Sequence, residues 1–168
     1  MPWISFLANG LWVMVIGLIG PSIPSIISEF GIGYSRAGLI FTLLSAGSLL
    51  GTFIGGIVSD SGKRRIFLSF FSIMLTVGLI LVGLAPGYTV LLVIIFFMSL
   101  LGGPIGAVGQ GIMLGMFPAK RSSYLSLQTM FAAAGSFIGP LIIAFIFLKG
   151  GSWRGAFFIV SVIAFILF

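Results

Sequence analysis

Four long stretches of this chain carry no charged side chain: Met1 to Ser28, Ala37 to Ser59, Ile66 to Ala119 and Ser122 to Leu148. A helix that crosses a bilayer needs about 20 consecutive apolar residues. The third stretch is too long for one such helix and suits two, joined at the turn residues Ala85-Pro86-Gly87-Tyr88. Five full spans are therefore predicted, at about residues 3–28, 37–59, 66–84, 89–117 and 123–148. A further apolar run after Arg154, residues 155–168, falls short of the roughly 17 residues a span requires, so a sixth helix is expected to be incomplete. Only 6% of the residues are charged, against about 25% in a soluble domain, and the lipid bilayer is the expected surrounding. Lipid offers the backbone no hydrogen-bonding water, so each span must be helical, and the long unbroken apolar runs exclude a β-barrel. The expectation is an all-α membrane protein, one six-helix transmembrane bundle over residues 1–168. Its first apolar stretch has no basic leader and outruns a signal-peptide core, which marks a true first helix.

The few charges report topology. With spans alternating across the membrane, one side collects Lys63, Arg64, Arg65, Lys120 and Arg121, and the other Arg36, Lys149 and Arg154. The richer side is expected to be cytoplasmic and to hold the amino terminus, as in a bacterial inner membrane. Basic residues confined to short loops make no continuous face for nucleic acid. The chain has neither cysteine nor histidine, and no carboxylate falls within a predicted span. Neither a nucleophile with its base nor a metal site can be assembled from the usual residues, so no enzyme, metal or cofactor is expected.

Small and polar residues within the spans carry the remaining information. Gly47, Gly51 and Gly55 recur every four residues in the second span, and Gly102 with Gly106, Gly111 with Gly115 and Gly135 with Gly139 repeat that spacing. Such stripes let helix backbones approach closely. Pro21, Pro24, Pro104 and Pro140 each remove a helical hydrogen bond, which predicts bent or interrupted helices. Asn9, Gln110, Gln128 and Thr129 are neutral polar residues inside spans and are candidates for a substrate path, with Asn9, Gln110 and Gln128 placed at one depth. The competing reading is interhelical hydrogen bonding, worth about 0.6 kcal/mol. Glu29 reads as a solvated helix end. Asp60 is either a helix-end carboxylate neutralised by the adjacent Lys63, Arg64 and Arg65, or a gate meeting a helix amino terminus of a facing bundle.

The loop Gly56-Ile-Val-Ser-Asp60-Ser-Gly62-Lys63-Arg64-Arg65 resembles the signature loop of the major facilitator superfamily, glycine-x-leucine-alanine-aspartate-arginine-x-glycine followed by basic residues. Here it is one residue shorter between Asp60 and Gly62 and lacks the usual arginine. Gly135-Ser-Phe-Ile-Gly139-Pro140 is similar to the family's glycine-x-x-x-glycine-proline element, Trp153-Arg154 to its tryptophan-arginine start of the sixth helix, and Phe117 to Ser123 to its loop between helices four and five. The resemblance covers the whole chain as the amino-terminal half of a twelve-helix fold. It implies a secondary transporter of a small organic solute, sugar-like or drug-like, whose partner is a missing carboxy-terminal half. Asp60 would hold the cytoplasmic gate, Gly56 would permit close approach there, and Gly139-Pro140 would shape the fifth helix. The fourth span lacks the arginine of proton-driven drug antiporters, and Gly17 to Ile26 looks more like the fucose-permease-type sugar branch. The alternative from another class is a self-contained six-helix protein acting as a homodimer or partner subunit.

Overall fold

A computed structural model describes residues 2–59, 64–116 and 121–167, and among these every regular element is helical. The helices are α1 (Pro2–Phe30), α2 (Tyr34–Ser59), α3 (Arg64–Leu84), α4 (Tyr88–Gly102), α5 (Pro104–Met116), α6 (Arg121–Leu148) and α7 (Trp153–Leu167). Five stretches are long and apolar enough to cross a membrane, with Tyr88–Ile112 counting as one, whereas α7 is shorter. The helices form one bundle in which α1 packs chiefly on α6, α2 on α4 and α5, and α3 on α7 and α4.

The fourth span, expected to be bent or interrupted at Pro104, is broken there into two helices. Pro104 has no N–H to return to the Leu100 carbonyl, and the break falls at Gly103. Gly103 keeps helical angles and donates its N–H to the Ser99 carbonyl at 2.8 Å, so the chain continues in the same direction. The glycine stripe of α2 receives this irregular segment. A Cβ on Gly51 would overlap the freed Leu100 carbonyl, and one on Gly55 would lie 2.7 Å from Pro104 Cα. Pro21 and Pro24 do not interrupt α1, nor does Pro140 interrupt α6. At Pro140 the reason is visible, since the Ser136 carbonyl that it frees lies against Gly17 of α1, where there is no side chain to exclude it.

Gly135 and Gly139 make the corresponding seam between α6 and α1. A Cβ on Gly135 would overlap the Gly10 carbonyl, and one on Gly139 would lie 2.5 Å from the Met14 carbonyl. The Gly102 and Gly106 pair does something else. Gly102 seats the indole of Trp12, and a Cβ on Gly106 would meet only Asn9 Oδ1, at 3.3 Å.

Glu29 is exposed at the end of α1, as expected of a solvated helix end, but it is also paired. Its carboxylate pairs with Arg154 at 2.7 Å and accepts the Trp153 indole N–H at 2.6 Å. Sequence separation hides this contact, because the partners begin α7 while Glu29 ends α1.

Candidate functional site

Three helices place polar groups at one point near the end of the bundle where α1 and α6 begin. Asn9 sits in the third turn of α1, where Phe6 one turn earlier stacks on Phe131 of α6 at 5.7 Å between centroids. Gly10, next in sequence, lies against the Phe131 carbonyl, so α1 and α6 run nearly in contact here. This proximity lets Asn9 Nδ2 reach the Gln128 backbone carbonyl at 3.5 Å. Gln128 Nε2 in turn donates to the Gly106 carbonyl of α5 at 3.4 Å. A Cβ on Gly109, one helical turn on, would lie 3.5 Å from Ser5 Cβ and 3.7 Å from Gln128 Nε2. Glycines at both positions leave the α5 backbone open to two side-chain amides.

The cluster is nearly closed and incompletely satisfied. Gln128 is only 2% exposed, and its Oε1 has no hydrogen-bond partner among the described residues. Its one donated bond and that of Asn9 are both long, near the outer limit for the interaction. A buried acceptor without a donor costs about 1–3 kcal/mol, so the arrangement favours anything that presents an O–H or N–H to Gln128. It holds no charge, and it can bind through hydrogen bonds but cannot transfer a proton.

Of the four candidates for a substrate path, the structure brings together two. Gln110 is exposed on α5, and Thr129 is exposed on α6 with its hydroxyl donating back to the Leu125 carbonyl at 3.0 Å. Neighbouring residues in a helix point about 100° apart, so Gln128 and Thr129 cannot serve one cavity equally. Ser5, buried beside Gly109, is a member that sequence reasoning missed; a serine in an apolar span gives no signal of its own. Gly106 was visible only as half of a spacing pair, and its role comes from the carbonyl it exposes.

Asp60, Gly62 and Lys63 lie outside the described residues, as do the side chains of Arg64 and Arg65. Gly56 is exposed at the end of α2, with nothing within 4 Å of a Cβ placed on it. That surface stands open, in contrast to the neighbouring Gly55, which is packed on Pro104.

A family model described as Major Facilitator Superfamily matches residues 5–168. "Protein TsgA homolog" of Buchnera aphidicola subsp. Baizongia pistaciae is 26% identical over 98% of this chain and 43% of its own length. "Putative transporter svop-1" of Caenorhabditis elegans is 28% identical over 94% of this chain and 29% of its own length. "Hexuronate transporter" of Bacillus subtilis is 25% identical over 96% of this chain and 38% of its own length. The chain thus spans less than half the length of these curated relatives.

Proposed function

Because the chain belongs to the Major Facilitator Superfamily, we propose that it supplies half of a secondary transporter that carries a small organic solute across the membrane by alternating access. The other half would come from sequence beyond these seven helices. The observation that carries this reading is the buried amide cluster of Asn9, Gln128 and Gly106, held where α1, α5 and α6 meet and left one hydrogen bond short. Sites in such transporters lie within the membrane on helices that can be interrupted. Uncharged amides with a spare acceptor suit hydroxyl groups, which favours a sugar-like over a drug-like solute. The name of the Bacillus subtilis relative is in keeping with that class.

Counterflow in vesicles containing the full-length polypeptide tests the reading. Vesicles loaded with unlabelled monosaccharide or hexuronate should draw labelled solute inward transiently and saturably. Failure of every sugar and sugar acid to produce counterflow, with well-folded protein, would remove the transport assignment to this class.

The gate reading of Asp60 belongs to the same proposal. An open surface at Gly56 beside the loop offers room for a second body, and a carboxylate there would meet the positive end of a facing helix. Asp60→Asn is expected to insert normally and to slow uptake about tenfold, the effect of losing ~1.4 kcal/mol of such a contact. Uptake at the wild-type rate would show that Asp60 is only a helix-end carboxylate. The excess of Lys and Arg on the side of this loop supports a cytoplasmic position for it and for the amino terminus.

A further inference from the structure

At the opposite end of the bundle from Asn9, Arg154 joins three helices. Its Nε and Nη2 donate to Glu29 Oε1 at 3.0 and 2.7 Å, while Nη1 and Nη2 donate to the Gly83 and Ala85 carbonyls, each at 2.8 Å. Glu29 is in the last turn of α1, and Gly83 and Ala85 flank the last residue of α3. The second carboxylate oxygen of Glu29 accepts from Trp153 Nε1 at 2.6 Å. The guanidinium also lies 4.8 Å from the Trp153 ring centroid and 5.8 Å from that of Phe30.

An exposed ion pair is ordinarily worth little. This one differs in three respects. The arginine side chain is 22% exposed against 39% for Glu29, two of its nitrogens meet one carboxylate oxygen, and it also supplies donors to the Gly83 and Ala85 carbonyls at the end of α3. The cation also sits at the negative end of the α3 dipole. The contact continues sideways, since Phe30 packs on Tyr88 at 6.4 Å between centroids and the Tyr88 hydroxyl donates to the Arg36 carbonyl. Five helices are thereby linked at one end: α7, α1, α3, α4 and α2.

We propose that Glu29, Trp153 and Arg154 form a clamp, with Arg154 as its positioning residue, that fixes the ends of α1, α3 and α7 so that the bundle moves as one body. The movement rests on the transporter reading, whereas the clamp does not. A lysine keeps the charge at position 154 but not the planar fork, so it cannot serve the carboxylate and both carbonyls together. A charge reversal would place a carboxylate against the Gly83 and Ala85 carbonyls.

The test uses the full-length protein carrying Ser22→Cys, a near-isosteric change at a fully buried position on α1. Maleimide labelling at position 22 is followed by peptide mass, beside uptake kinetics. Arg154→Lys is expected to accelerate labelling about tenfold, the factor that ~1.4 kcal/mol of local stability gives, and Arg154→Ala no less. Glu29→Gln, which still accepts hydrogen bonds, should produce a smaller increase, and Glu29→Arg with Arg154→Glu should not restore the wild-type rate. In uptake, Arg154→Lys should lower Vmax with KM unchanged, because the amide cluster is at the other end.

Wild-type labelling in Arg154→Lys, or full recovery in the reversed pair, would reduce the contact to an ordinary ion pair. Faster labelling with Vmax unchanged would overturn the link to movement. Faster labelling in a protein whose wild type transports nothing would sink the transporter reading and leave the clamp standing.

Discussion

Gly135→Leu is expected to abolish recovery of folded protein. The added Cβ would overlap the Gly10 carbonyl and lie 3.1 Å from the Met14 amide nitrogen, and both obstacles are backbone. A flexible side chain could move aside, whereas here α1 itself must shift, breaking the Gly139 contact with the Met14 carbonyl one turn further on. Overpacking typically costs about 1–3 kcal/mol even where side chains can adjust. With no such adjustment, the seam between α1 and α6 is expected to open. Gly20→Leu is the control on the same helix pair's α1, at a position with nothing within 4 Å of the added Cβ. It should elute as wild type in detergent and melt within about 0.5 kcal/mol of it. A single sharp elution peak for Gly135→Leu, at the wild-type position and yield, would show that the seam is looser than its geometry.

The second large effect separates function from folding. Gln128→Leu replaces a buried amide by an apolar side chain of similar size. It removes an unsatisfied acceptor and one long hydrogen bond, and it leaves the Asn9 bond intact because Asn9 donates to the backbone carbonyl of residue 128. Stability should be unchanged or slightly higher, since removing an unpartnered polar group relieves its desolvation cost. Uptake should fall at least about tenfold, because a solute hydroxyl loses the acceptor to which it would donate, a loss of ~1–3 kcal/mol. A melting temperature at or above the wild-type value together with normal uptake would mean that the amide only joins helices. Gln110→Leu and Thr129→Val, at exposed positions outside the cluster, should change KM much less than Gln128→Leu.

The spans were legible because their cause is local. Twenty residues without a charge can be counted along the chain, and the helices observed at Pro2–Phe30, Tyr34–Ser59, Arg64–Leu84 and Arg121–Leu148 each fall on a charge-free stretch and pass one end of it by one to three residues. The α2 glycines were legible for the same reason, since a four-residue spacing places them on one side of any helix. Their partner was not. That Gly51 and Gly55 receive the break at Pro104, and that Gly135 and Gly139 face Gly10, Met14 and Gly17, depends on which helices become neighbours.

The candidate site shows the limit more sharply. These helices are apolar on every side, so no polar stripe marks the face turned inward, and rotation about each axis cannot be read from the pattern. Asn9, Gln110, Gln128 and Thr129 therefore looked equivalent as residue types, and packing alone buries Gln128 against Gly106 while leaving Gln110 and Thr129 outside. Glu29 and Arg154 are separated by more than 120 residues and each stood next to a predicted membrane boundary, where a solvated charge is ordinary. Residue order settles what must enter the bilayer, because transfer free energy adds up segment by segment. Which polar groups then meet is a property of the folded bundle, because it depends on helix rotation and neighbour choice, and both are set by contacts between residues far apart in the chain.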